Sequence, residues 1–223
     1  MIPIKDTIKS RTIPILVFTI LFMNTFAFLL EISSRNIESL IMTFGFVPQN
    51  FFFNSASNGP VERFLPLLTS LFLHGGFLHF LGNMLFLWVF ADNVEDRLGK
   101  IKFVLLYFGS GFVASLLQGV MMIHSKIPMI GASGAIAGIL GAYFVFFPHS
   151  RIVTLIPVFI FPLFVEIPSP FFLLYWFLIQ FLNGTLLISN MEWANTAWWA
   201  HIGGFLFGVL FALIFGKGKR RYY

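Results

Sequence analysis

The sequence predicts an all-α polytopic membrane protein with six spans and both termini on the cytoplasmic side. Three observations predict it. Of the 223 residues, 58% are hydrophobic and only 10% are charged, and the mean hydropathy is +0.88, far from a water-soluble chain. Phenylalanine alone contributes 32 residues, more apolar surface than a globule of this size can hide from water. Finally, cutting the chain at every Asp, Glu, Lys and Arg leaves long charge-free runs, the candidates for crossing a hydrocarbon core ~30 Å thick.

In chain order these runs are Thr12 to Leu30, Ser39 to Val61, Phe64 to Ala91, Phe103 to Ser125, Ile127 to Ser150, Ile152 to Val165, Ile167 to Met191 and Trp193 to Gly216. The run from Ile152 to Val165 falls short of the ~20 residues a spanning helix needs and carries Pro157 and Pro162, so it reads as a connector. The run from Ser39 to Val61 mixes Pro48, Gln49, Asn50, Asn54, Asn58, Gly59 and Pro60 with Phe51, Phe52 and Phe53, as a segment lying in the membrane interface does. Six spans remain. They place Lys5, Lys9, Arg11, Arg97, Lys100, Lys102, Arg151, Lys217, Lys219, Arg220 and Arg221 inside, and leave only Arg35, Arg63 and Lys126 outside; letting either the Ile152 to Val165 or the Ser39 to Val61 run span as well destroys this asymmetry. One membrane domain over residues 1–223 follows, with a first helix at about 12–31, an interfacial loop at about 32–76, helices 2–6 at about 77–216 and a basic tail at 217–223. The first charge-free run is too long for a signal-peptide core and lacks a small-residue cleavage site, so it reads as an anchor.

These spans contain no Asp, Glu, Lys or Arg, so proton relays, voltage sensing and carboxylate metal cages lack their usual parts. With no cysteine in the chain, disulfides, thiolate metal sites and a cysteine nucleophile are excluded. The polar groups that do sit in the spans therefore carry the functional argument. The pair Gly75-Gly76 interrupts the second run, so a helix begins after it with His79 in its first turn and Asn83 four residues on, on the same face. In the fourth span, Gly131 to Gly138 is almost entirely small, Ser133 stands at its outer end, and Gly134, Gly138 and Gly141 form a groove for a neighbouring helix. In the sixth span His201 shares a face with Gly204 and Gly208, just below Trp198 and Trp199. Each feature alone is compatible with plain helix packing. Ser133 and His201, however, lie about six and eight residues into their runs, which at ~1.5 Å per residue puts both about 9 to 12 Å below the outer end. A serine within reach of a histidine is the minimum for nucleophilic catalysis, here a dyad because no buried acid is available. His79, Asn83 and the backbone around Gly131 and Ser133 are candidate donors to an oxyanion.

At these residues the sequence resembles the rhomboid family of intramembrane serine proteases. The resemblance rests on Gly131-Ala132-Ser133-Gly134, on His201 with Gly204 and Gly208, on His74, His79 and Asn83, and on Glu95, Arg97, Leu98 and Gly99, in order over roughly Glu62 to Gly216. It implies a six-helix bundle whose water-filled cavity opens to the extracytoplasmic side, where the Ser133–His201 dyad cleaves transmembrane segments of other proteins. The fifth span, about Pro168 to Ser189, carries no catalytic group, and the resemblance implies that, with Trp176 and its many phenylalanines, it serves as a movable, lipid-facing gate. Two positions depart from the family pattern. Leu65-Pro66 replaces a Trp-Arg pair, and Ala137 replaces a tyrosine that packs on the histidine.

The expected partners are transmembrane protein substrates and the lipid bilayer, in the cell (inner) membrane of a prokaryote, with no cofactor, no metal and no nucleic acid. The oligomeric state is not legible. The alternative reading is an inactive relative that binds or escorts membrane proteins; such a protein is free to lose Ser133 or His201, and both are present. A transporter or channel needs coordinating groups near the midplane, which the spans do not supply.

Overall fold

The computed structural model describes residues 1–53, 59–158, 161–186 and 197–216. The chain begins with strand β1 (Ile2–Asp6) and a long helix α1 (Ile15–Ser33). Short helices α2 (Ile37–Phe44), α3 (Pro48–Phe53) and α4 (Pro60–Thr69) and a 3-10 turn (Ser70–Phe72) build the loop that follows. The bundle continues with α5 (Phe77–Leu98), α6 (Lys100–Met121) and α7 (Ser133–Phe146). Strands β2 (Arg151–Val158) and β3 (Phe161–Pro168) lead to α8 (Ser169–Leu186), and α9 (Trp198–Phe215) closes the described chain.

Among the described residues α1, α5, α6 and α9 are each long and apolar enough to cross a membrane. Their outward faces carry exposed Phe22, Phe26, Trp88, Leu105 and Leu210, which only lipid solvates well, so the chain is a multi-pass membrane protein. At the centre stands α7, buried at every residue from Gly134 to Tyr143. It packs against α5, α6 and α9. Its small residues set the distance to α9: a Cβ on Gly204 would overlap the carbonyl oxygen of Gly134, and one on Gly208 that of Gly138. The two helices thus meet backbone to backbone, an approach only glycine permits.

The structure corrects the expectation of an all-α protein. Strands β1, β2 and β3 form an antiparallel sheet in that order, Ile2 pairing with Leu155 and Ile152 with Ile167. The supposed connector is its hairpin. Ile152, Val153, Thr154, Ile156 and Val158 are β-branched and suit a strand. Pro3 and Pro162 lie on outer strands, and Pro157 lies beyond the last β1 partner, Leu155, so no proline breaks a ladder bond.

Two further expectations change. Helices continue past the charge-free runs: α1 runs on to Ser33, α5 includes Asp92, Glu95, Asp96 and Arg97, and α6 opens with Lys100 and Lys102. These charges are tolerated because they make specific bonds. Glu95, 3% exposed, accepts from the N–H groups of Leu16 and Val17 at 3.2 and 3.0 Å, satisfying orphan donors at the start of α1. Arg97 and Lys102 donate to the carbonyls of Gly216 and Phe215 at the end of α9, where cations offset the helix dipole. In addition, residues 127–132 are not helical, and α7 begins at Ser133 itself, so a depth counted along a helix does not apply to this residue. The basic tail 217–223, Asn54 and Asn58, and the fifth span's expected end near Ser189 lie outside the described residues.

Candidate active site

Three helices start at the same end of the bundle, and each brings one part of the site. α5 begins after Gly76, whose φ of 152° is a conformation only glycine adopts freely, and sets His79 within its first turn. Ser133 opens α7, and His201 is the fourth residue of α9. The His201 Nε2 lies 2.8 Å from Ser133 Oγ. Both line a cavity of about 730 Å³ together with His79, Asn83, Gly82, Trp176, Gln180 and Trp198.

Ser133 is positioned by its neighbours on both sides. As the first residue of α7 its N–H has no partner within the helix, so a donor faces the start of the site, at the positive end of the helix dipole. Before it, Gly131 has φ 122°, and a Cβ there would meet the His79 ring at 2.8 Å. The Gly131 N–H donates to Ser70 O at 2.8 Å. That bond ties the approach to α7 onto the 3-10 turn, and it removes Gly131 from the set of free donors; its part is to leave space. His79 is 5.3 Å from His74, centroid to centroid. His74 is fully buried, and its backbone N–H donates to the Glu31 carboxylate at 2.8 Å. One amide hydrogen of Asn83 is engaged with His79 O at 3.0 Å, so Asn83 reaches the cavity from its own helix backbone.

His201 is held from several sides. It is 9% exposed and lies between Trp176, at 5.8 Å, and Trp198, at 6.1 Å. These rings occupy the flanks of the imidazole where Ala137 offers only a methyl group. Its Nδ1 is 2.7 Å from Gln180 Oε1. The helix under it is capped from α6: Gln118 Oε1 accepts from the N–H groups of Trp199 and Ala200 at 3.1 and 3.3 Å.

Both glutamines escaped the sequence reading, and the fifth span was expected only to lack catalytic groups. The available signal was the cost of an amide in an apolar helix. Gln180 stands in a charge-free run, one turn after Trp176, and such a residue needs a partner. What the sequence does not supply is the partner's identity, because α8 and α9 meet only in the folded bundle.

The rhomboid domain family model matches residues 61–218. Among curated proteins, the chain is 29% identical over 164 residues to Rhomboid protein 1, mitochondrial, of Saccharomyces cerevisiae, covering 70% of this chain and 43% of that one. It is 28% identical over 158 residues to the presenilin-associated rhomboid-like protein, mitochondrial, of Mus musculus, covering 69% and 39%. Over 81 residues it is 38% identical to YdcA of Bacillus subtilis, provisionally named a rhomboid protease, covering 34% and 38%. The chain therefore spans about two fifths of the length of these relatives. They come from mitochondria and from a bacterium, so they do not single out the prokaryotic cell membrane expected from the sequence. The matched domain takes in all five helices from α5 to α9, and with them every residue of the Ser133–His201 cavity: the chain belongs to the rhomboid family.

Proposed function

We propose that this protein is an intramembrane serine endopeptidase that hydrolyses peptide bonds in or near transmembrane segments of other membrane proteins. The observation that carries the reading is the 2.8 Å contact between His201 Nε2 and Ser133 Oγ at the wall of a 730 Å³ cavity. In the first step Ser133 Oγ attacks the substrate carbonyl carbon while His201 Nε2 takes the hydroxyl proton. The carbonyl oxygen becomes an oxyanion, stabilised by the Ser133 N–H and by His79 and Asn83. His201 then gives its proton to the leaving amine nitrogen, the C–N bond breaks and an acyl-Ser133 ester remains. Water, deprotonated by the same Nε2, hydrolyses that ester and restores the serine.

The same proposal covers the topology. Six helices, α1 and α5 to α9, span the bilayer as one domain over 1–223, with both termini cytoplasmic and the cavity opening on the extracytoplasmic side. The distribution of Lys and Arg supports this, as does the common end at which α5, α7 and α9 begin. The location we propose, the cell membrane of a prokaryote, comes from the sequence reading, and the mitochondrial relatives lend it no support.

An inactive protein that binds or escorts membrane segments is the second reading. It shares the fold, and the retained contact between Ser133 and His201 disfavours it. Detergent-purified protein incubated with a single-span test substrate decides between them: cleavage that disappears in Ser133→Ala supports the protease, and binding without cleavage by the wild type supports the escort.

A further inference from the structure

The imidazole of His201 is useful as a base only if its proton sits on Nδ1, leaving Nε2 to accept from Ser133. Something must hold it there. In a triad a carboxylate does so, and among the described residues the buried carboxylates are bonded elsewhere: Glu31 accepts from His74 and Glu95 from Leu16 and Val17. The atom that faces Nδ1 is Gln180 Oε1, at 2.7 Å.

The other half of the same amide fixes which atom that is. Gln180 Nε2 donates to Trp176 O, one turn earlier in α8, at 3.3 Å. Turning the amide over would set Oε1 against the Trp176 carbonyl, two acceptors facing one another, and would present N–H to Nδ1. The orientation that satisfies both contacts makes Nδ1 the donor. Gln180 is 6% exposed, so water does not compete effectively for its oxygen.

We propose that Gln180 is a positioning residue for the Ser133–His201 pair: its Oε1 accepts the Nδ1–H of His201 and holds the neutral ring in the tautomer whose Nε2 faces Ser133 Oγ. This rests on the proteolytic reading above and adds a third member, an amide, to the pair. The chemistry distinguishes it from a carboxylate. A neutral acceptor sets the tautomer and ring orientation and lends the imidazolium only a dipole, so most of the stabilisation of that cation falls to the rest of the cavity wall.

The test uses full-length protein labelled with ¹⁵N-histidine in detergent micelles at pH 8, with the His201 signals assigned by their loss in His201→Asn. The wild type shows His201 protonated at Nδ1. Gln180→Leu, which keeps the bulk and removes the acceptor, shows the Nε2–H tautomer, and cleaves a single-span test substrate with kcat reduced about 10²-fold or more and KM within about twofold. Gln180→Glu restores the acceptor: kcat recovers to within about tenfold, and the acid limb of the pH–rate profile moves to higher pH because a carboxylate favours the imidazolium. Gln118→Leu is the comparison for a purely structural loss: it lowers the melting temperature and leaves the His201 tautomer unchanged. Should Gln180→Leu fail to fold, Gln180→Met repeats the measurement. An unchanged tautomer in folded Gln180→Leu or Gln180→Met overturns the proposal, whatever happens to the rate. If the tautomer responds to Gln180→Leu while the wild type cuts nothing, the positioning contact stands and the protease reading falls.

Discussion

Gly131 and His79 face each other across a gap that admits no side chain: a Cβ on Gly131 would lie 2.8 Å from both Cε1 and Nε2 of the His79 ring. Because Gly131 also has φ 122°, Gly131→Ala strains the backbone just before Ser133 as well as displacing His79. The expected outcome is a folded protein whose kcat falls about 10²-fold to 10³-fold, the range seen when one oxyanion donor is lost. Steady-state cleavage beside a thermal melt separates this from unfolding.

Ser133 and His201 are expected to act as one unit. Ser133→Ala and His201→Asn each abolish cleavage, and the double variant is hardly worse than either, since members of a catalytic unit are not additive. A serine-reactive phosphonate labels the wild type at Ser133 and leaves Ser133→Ala unlabelled. Losses that multiply in the double variant would show two independent effects instead.

Packing between α7 and α9 gives a stability prediction. Gly208→Ala forces the new methyl into the carbonyl of Gly138, and the helices must separate at a cost of about 1–3 kcal/mol. Gly82→Ala, where nothing lies within 4 Å of the added carbon, stabilises α5 by about 0.5–1 kcal/mol through helix propensity. Melting temperatures in one detergent should move in opposite directions.

Stability should also depend on pH through Asp6, on the N-terminal strand. Burial raises its carboxyl from 3.8 to about 6, opposed by the hydrogen bond from Tyr143 and reinforced by the nearby Asp92. Below 3.8 both folded and unfolded chains hold the proton, so Asp6 has no net effect there. Between 3.8 and about 6 the unfolded chain releases it and the folded chain keeps it, so stability falls as pH rises and levels off above that window. The total is no more than about 3 kcal/mol. Asp6→Asn, which can still accept from Tyr143, should flatten the slope in chemical denaturation measured across the window.

Substrate choice follows from the position of Ser133. A helical substrate keeps its carbonyls in its own hydrogen bonds, so cleavage requires local unwinding, and Gly, Pro or polar residues near the outer end of the substrate span should promote it. The residue that contributes the attacked carbonyl should be small, because His79, Ile130, Trp176 and Trp198 line the cavity around Ser133. Replacing an Ala there with Phe, and the helix breakers with Leu, should each suppress cutting in liposomes. Equal cleavage of an unbroken poly-Leu span at a large residue would contradict the site geometry.

The parts of this molecule that were legible in the sequence are those that announce themselves locally. Ser133 and His201 are polar residues in small-residue helices, and Gly76 marks the start of α5 in the dipeptide Gly75-Gly76. The sheet was not legible, because Pro157 and Pro162 argue against a helix without arguing for a strand, and the third strand comes from residues 2–6, over a hundred positions away along the chain. Gln180 was hidden for the same reason: an amide in a span signals a need, and only the meeting of α8 with α9 shows that His201 meets it. Glu95 was misplaced because cutting the sequence at charges assumes that helices end where charges begin, and here the carboxylate is bonded to N–H groups of another segment.

Because α7 and α9 touch through their backbones along Gly134, Gly138, Gly204 and Gly208, neither can tilt or slide against the other without losing that contact. Hydrophobic mismatch must be absorbed by elements that meet the bundle through side chains, such as α1, stacked by Phe28 on Phe80, and α8, set by Phe177 against Phe205. A thinner or thicker bilayer then changes how far Ser133 lies from the lipid surface and leaves its spacing to His201 untouched. On the proposed proteolytic reading, moving the protein between membranes should therefore shift which peptide bond of a passing helix comes within reach and leave the cutting chemistry the same.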